Sequence, residues 1–140
     1  RLEAGTPNAV GLAGLLAALG WLRQLGVERI RAHEVALCAQ LLDGLAEIGG
    51  VRLFGPRNPH LQTATVAFNI ENMEPSKVGE LLDEQHDILC RVGLHCAPAA
   101  HRTLGTFAAG SVRFGLGAFN TPEDVAAALR AVHALAKGAA

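Results

Sequence analysis

A chain of 140 residues, 50% hydrophobic and 18% charged, is long enough to bury one core without disulfides or a metal to hold it. Its formal net charge of −1 gives no electrostatic reason to expect nucleic acid or an anionic membrane as a partner. Three irregularly placed cysteines (Cys38, Cys90, Cys96) argue against a disulfide framework and for a reducing compartment, with the cytoplasm expected. No apolar run reaches the roughly 20 uninterrupted residues that span a bilayer.

Turn chemistry in Gly5, Pro7 and Asn8 precedes a run of small and apolar residues from Gly11 to Leu25, and Asn8 is suited to cap it. Leu12, Leu15, Leu16, Leu19 and Leu22 recur at helical spacing, so a helix is expected, ended by Gly26. A longer helix follows from about Glu28 to Ile48, where Ile30, Leu37, Cys38, Leu41, Leu45 and Ile48 form one apolar stripe opposite Arg31, Glu34, Gln40 and Glu47. On that stripe Cys38 reads as a small buried hydrophobe.

Val51–Phe54 reads as a short strand stopped by Gly55-Pro56. Thr63–Ile70 reads as a half-buried one, with Ala64, Val66, Phe68 and Ile70 on one face and Thr63, Thr65, Ala67 and Asn69 on the other. Pro75 opens a short helix to about Gln85, and Ile88–Val92 is expected to be a strand that buries Cys90 with its apolar neighbours. A helical turn over Pro98–Leu104 comes next. Val112, Phe114 and Leu116 then alternate with Arg113, Gly115 and Gly117, which turns Arg113 away from the core onto a face without bulk. Thr121-Pro122-Glu123-Asp124 starts a closing helix that buries Val125, Leu129, Val132 and Leu135. The order predicts an α+β sandwich: a small antiparallel or mixed sheet with helices on one side, preceded by two helices.

The stretch richest in chemistry is Arg91-Val92-Gly93-Leu94-His95-Cys96-Ala97-Pro98. It sets a thiol in a glycine- and proline-bounded loop beside a histidine, a surrounding that favours the thiolate. An ordinary cysteine of pKa about 8.5 is only about 3% ionised at pH 7. A blander reading makes Cys96 an idle loop cysteine, Arg113 a solvated strand arginine, and Thr6 and Asn8 simple turn formers. Cys90, His95, Cys96 and His101 could supply zinc ligands, but their spacing matches no usual paired-ligand pattern, and no metal is expected. His33, His60, His86 and His133 are scattered and read as surface or boundary residues.

Four separated segments carry a resemblance: Arg-Leu-Glu-Ala-Gly-Thr-Pro-Asn at 1–8, Arg-Val-Gly-Leu-His-Cys-Ala-Pro at 91–98, Val-Arg-Phe-Gly-Leu at 112–116 and Phe-Asn-Thr-Pro-Glu-Asp-Val at 119–125. Together they resemble the C-terminal part of class V aminotransferase-fold enzymes, within them the cysteine desulfurases and selenocysteine lyases of the SufS type. The resemblance implies a pyridoxal 5'-phosphate enzyme that takes sulfur from L-cysteine and leaves alanine. A lysine of a large domain would hold the cofactor as a Schiff base.

By motif, Cys96 matches the nucleophile that becomes a persulfide, and Arg113 the arginine that grips the substrate carboxylate. Arg91 and His95 flank the nucleophile, where they would tune it or help to seat substrate. Thr6 matches the threonine offered to the cofactor phosphate of a homodimer partner. Residues 1–26 would then be the end of the large domain and a linker helix, and 27–140 the small domain.

Further partners implied are the missing large domain and a sulfur-acceptor protein. The lysines here, Lys77 and Lys137, lie in no cofactor-lysine setting, so the chain by itself is expected to be inactive. Its first residue, Arg1, is not an initiator Met, and a longer parent or processing is expected. Another class V enzyme (an epimerase or aminotransferase) and a stand-alone sulfur-carrier or interaction module are the competing expectations.

Overall fold

The computed structural model describes residues 5–139; the Arg1–Ala4 part of the first motif lies outside them. Among the described residues the order is α1 (Ala9–Leu25), α2 (Val27–Ala46), β1 (Val51–Phe54), β2 (Thr65–Ile70), α3 (Pro75–His86), β3 (Arg91–Gly93), α4 (Pro98–Leu104), β4 (Ser111–Gly115) and α5 (Pro122–Ala139). The chain divides into two units, with the break between Ala32 and His33. No single helix among the described residues is long and apolar enough to cross a membrane.

In the first unit Asn8 caps α1 as expected, its Oδ1 accepting from the Gly11 N–H at 2.9 Å. The leucine periodicity is there, but α1 buries none of its residues, and Leu12, Leu15 and Leu16 are each more than half exposed. Spacing made the helix; among the described residues its apolar side stays largely exposed.

In the second unit β1-β2-β4-β3 form one sheet in that order, every neighbouring pair antiparallel. Strands β2 and β3 therefore run the same way with β4 between them, and α3 makes the crossover that antiparallel hairpins do not need. Period-two alternation sends Leu53, Val66, Phe68, Ile70, Val112 and Phe114 to one face, where they meet Leu37, Leu41 and Leu45 of α2, Val78 and Leu82 of α3, and Val125 and Val132 of α5 in one core. Phe68 is fully buried and its ring centroid lies 5.2 Å from that of Phe114. Cys38 is buried in the same core, as its stripe implied.

Close helix packing uses glycine. A Cβ at Gly44 of α2 would stand 2.3 Å from Cδ1 of Leu129 on α5, and one at Gly79 of α3 would stand 2.7 Å from Cγ1 of Val92. The start of α5 is a reciprocal cap: Asp124 N–H donates to Thr121 Oγ1 at 3.2 Å, and Thr121 N–H donates to Asp124 Oδ2 at 2.9 Å.

Two strands are shorter than their sequences imply. Strand β2 begins at Thr65 because the Thr65 N–H turns back to the Thr63 carbonyl at 2.7 Å, although Ala64 stays buried and its carbonyl accepts from Leu116 N–H at 2.8 Å. The expected strand over Ile88–Val92 is displaced to Arg91–Gly93. Asp87 ends α3 in the left-handed conformation (φ 54), and the Ile88 N–H closes on the Leu82 carbonyl, so this stretch completes a helix terminus instead. As an edge strand, β3 leaves Cys90 half-buried and Val92 exposed rather than sealing them inside.

Phe68→Ala should cost about 3–5 kcal/mol of folding stability, because it empties the middle of the sheet–helix interface. Urea unfolding of the chain followed by circular dichroism checks this; a loss under about 1 kcal/mol would place the core's centre elsewhere.

Candidate active site

The face of the sheet turned away from the core carries mostly small, polar and charged residues, with Phe54 on the β1 edge. Register puts Arg91 opposite Arg113 and Gly93 opposite Ser111 across β3 and β4, while Ala67 and Thr65 of β2 stand opposite Arg113 and Gly115. Arg113 is half-buried and Arg91 exposed, and neither makes an ion pair or a hydrogen bond among the described residues. Like charges directly opposite on an antiparallel pair repel. An anion received between two such guanidiniums turns that repulsion into attraction, and a carboxylate fits the fork geometry best.

Beyond β3 the chain makes a tight turn. Ala97 N–H donates to the Leu94 carbonyl at 2.8 Å, and the two residues between, His95 (φ 50) and Cys96 (φ 58), both hold positive φ. That sign pattern belongs to type I′ turns, which favour Gly, Asn or Asp; a cysteine and a histidine there are held in a conformation that costs each roughly 1–2 kcal/mol. Observed backbone outliers of this kind cluster at functional sites.

Cys96 is exposed at the crest of the turn. The His95 ring folds back onto β4, with Nε2 3.0 Å from the Ser111 carbonyl oxygen and 3.2 Å from Ser111 Oγ. A carbonyl can only accept, so Nε2 carries the proton and Nδ1 holds the lone pair. That Nδ1 is buried and has no hydrogen-bond partner.

Burial, reinforced by Arg113, His101 and Arg91, holds the imidazole below its ordinary value of 6.5, while the bond to Ser111 works the other way. The surroundings of the ring beside the thiol therefore favour its neutral form.

A second layer supports the turn. His101 of α4 is buried, its ring centroid 5.7 Å from that of His95, and its Nδ1 lies 2.7 Å from Thr106 Oγ1. The His101 carbonyl accepts from the Thr106 and Phe107 N–H groups at 2.9 and 3.2 Å, which closes α4 onto the strand that follows.

Gly110 (φ 86) backs directly onto β3: a Cβ there would sit 2.2 Å from the Gly93 carbonyl carbon and oxygen, so only glycine fits. Asn69 of β2 spans the junction, donating through Nδ2 to the Gly110 carbonyl at 3.1 Å and accepting at Oδ1 from Val112 N–H at 3.3 Å.

Of the residues singled out from sequence, Arg91, His95, Cys96 and Arg113 thus come from β3, its following turn and the adjacent β4. Thr6 belongs to the other unit, exposed ahead of α1. Sequence reasoning gave no site role to Ser111, Thr106 or Gly110, weighed His101 only as a zinc ligand, and placed Asn69 only on a strand face. The available signals were weak: a lone amide on the small-residue face of β2, and a glycine just before the Val-Arg-Phe alternation.

Among the described residues no three His, Cys, Asp or Glu side chains converge as a metal site. Burial and Asp83 push the half-buried Cys90 thiol above the ordinary cysteine value.

A family model described as aminotransferase class-V matches residues 1–128. The chain belongs to this family. It is 40% identical over 140 residues to a "probable cysteine desulfurase" of Mycolicibacterium paratuberculosis, covering 100% of this chain and 20% of that protein. It is 35% identical over 125 residues to "probable cysteine desulfurase 2" of Mycobacterium leprae, covering 89% and 29%.

Among solved structures it superposes on an apo cysteine desulfurase of Thermococcus onnurineus NA1 with a TM-score of 0.91 at 36% identity, covering 99% of this chain and 34% of that one. On the S-sulfonic acid form of the Escherichia coli cysteine desulfurase CsdA the TM-score is 0.85 at 32% identity, covering 97% and 32%. The chain thus spans between a fifth and about a third of the length of these relatives.

Limiting iodoacetamide on the folded chain should alkylate Cys96 first, with Cys38 and Cys90 protected until the chain unfolds. Peptide mass spectrometry reads the order; labelling of Cys90 ahead of Cys96 would contradict the exposure and the raised Cys90 thiol described above.

Proposed function

We propose that this chain is the C-terminal part of a pyridoxal-phosphate-dependent cysteine desulfurase, which converts L-cysteine to alanine and carries the sulfur away as a persulfide on Cys96. The observation that supports it most is the juxtaposition of an exposed thiol on a strained turn with two unpaired guanidiniums on the neighbouring strands. The similarity to cysteine desulfurases over nearly the whole chain supports the choice of reaction.

The residues present fit the cofactor only in part. Lys77 is exposed and paired with Glu80 on α3, and Lys137 is exposed near the end of α5, so the lysine that would hold pyridoxal phosphate belongs to the rest of the protein. What this chain offers is the exposed Thr6 hydroxyl, for the phosphate of the cofactor in a homodimer partner. When bound, the group supplies the electron sink for breaking a bond beside the substrate amine.

In this reading Arg113 takes the substrate carboxylate through a charge-assisted fork worth about 1.5–3 kcal/mol, and Arg91 adds positive potential opposite it. The Cys96 sulfur, as thiolate, forms an S–S bond to the substrate sulfur while the Cβ–S bond breaks. The electron pair of that bond stays with the three-carbon fragment, which takes up a proton and leaves as alanine. No external oxidant is needed, because the sulfur moves at the sulfane level and leaves the C–S bonding pair on carbon, which is the reduced product. A sulfur-acceptor protein then removes the terminal sulfur by thiol attack on the persulfide, which an exposed crest permits. The exposed leucines of α1 suit a helix that lies against polypeptide outside this chain.

In the full-length enzyme Cys96→Ala should keep the cofactor's absorbance and lose sulfur transfer to a thiol acceptor. Wild-type sulfur delivery by that variant would remove Cys96 from the chemistry. Arg113→Lys should raise KM for L-cysteine about tenfold or more, because an ammonium cannot make the paired bonds of a guanidinium. Alanine production from L-cysteine, followed on the same enzyme, separates this reading from an epimerase or aminotransferase.

A further inference from the structure

We propose that His95 is a positioning residue: its Nε2–H pins the Cys96 turn to Ser111 of β4. The proposal rests on the desulfurase reading for the step it affects, and it names a device inside that site. Three observations carry it. The turn is strained at two consecutive positions, so something must hold it; the bonds of the His95 ring to Ser111, 3.0 Å and 3.2 Å long, are the side-chain contacts that tie it to the sheet. Ser111 is buried and lies two residues from Arg113 on the same face, so the same pin fixes the crest relative to the guanidinium that would hold substrate. The remaining ring nitrogen is buried and unpartnered, so protonation there creates a donor with nothing to receive it.

The charged and titratable groups facing the ring are Arg91 on β3, Arg113 on β4 and His101 on α4, and each disfavours a second positive charge. The folded state therefore takes up the proton later than the unfolded chain does. As pH falls below the ordinary imidazole value of 6.5 the unfolded form gains the proton first, and the pinned turn loses stability relative to it, because a charged ring is buried among like charges; above that value this stability is fully present.

The variants that test this differ in reach. Gln at position 95 can bring an amide N–H to where Nε2 stands and does not titrate. Asn tolerates positive φ better than most residues but is too short to reach Ser111, so it removes the pin while easing the backbone strain.

In the full-length enzyme, His95→Asn should lower kcat for sulfur transfer by about 100-fold, as expected when a reacting group is misplaced by about 1 Å, with KM for L-cysteine little changed. His95→Gln should restore much of that kcat and flatten the acid limb of the pH–rate profile. If His95→Asn transfers sulfur at the wild-type rate while Cys96→Ala is inactive, the pin is wrong and the desulfurase reading stands. If Cys96→Ala is itself active, the reading fails first. Should His95→Asn not fold, His95→Gln decides alone: an acid limb with an unchanged midpoint overturns the proposal.

Discussion

The alternation along β4 is the constraint from which the candidate site follows. Val112 and Phe114 must face the helices, which leaves Ser111 and Arg113 no choice but the opposite face. Because β4 lies between β2 and β3, its register is fixed from both sides, with Phe68 opposite Val112 on one and Val92 opposite Val112 on the other. A slip by one residue would expose two core side chains, at about 1.5–3 kcal/mol each, and push an arginine into the core they leave. The same packing that stabilises the unit therefore aims its functional side chains.

Much of this was legible in the sequence because it is local. The caps of α1 and α5, the stripe of α2 and the alternation in β2 and β4 rest on residues within a few positions of one another, and all are present. Strand ends were less legible. Whether Ile88–Cys90 continues a strand depends on whether α3 claims those N–H groups for its own terminus, and the hydrophobic pattern is the same either way. The leucines of α1 show a different limit: period predicts a helix, but burial needs a partner, and none of α1 is buried.

The second layer was illegible for a physical reason. Asn69 meets Gly110 across 41 positions of sequence and His95 meets Ser111 across 16, contacts that exist only once β4 has been inserted beside β2. Nothing in the order of residues marks His101 as the buried support of His95, because its partner Thr106 looks like any loop threonine. Gly110 could have been noticed as a glycine before a strand, but the reason it must be glycine is the Gly93 backbone lying against it.

Three features of the site run against stability: two non-glycine residues at positive φ, two like charges in direct register, and a buried ring nitrogen without a partner. Each costs on the order of 1 kcal/mol or more, and they fall within one turn and the two strands beside it. Elsewhere in the second unit positive φ at non-glycine residues occurs singly, at Arg57, Asn72 and Asp87, while the reciprocal cap of α5 and the fully buried Phe68 follow the local rules. A chain free to relax would place glycine or asparagine at 95 and 96 and an acid opposite Arg113. Keeping a histidine and a cysteine in a turn that disfavours them, in front of uncompensated guanidiniums, is consistent with the proposed function, in which an anionic, sulfur-bearing substrate would supply the missing favourable interactions.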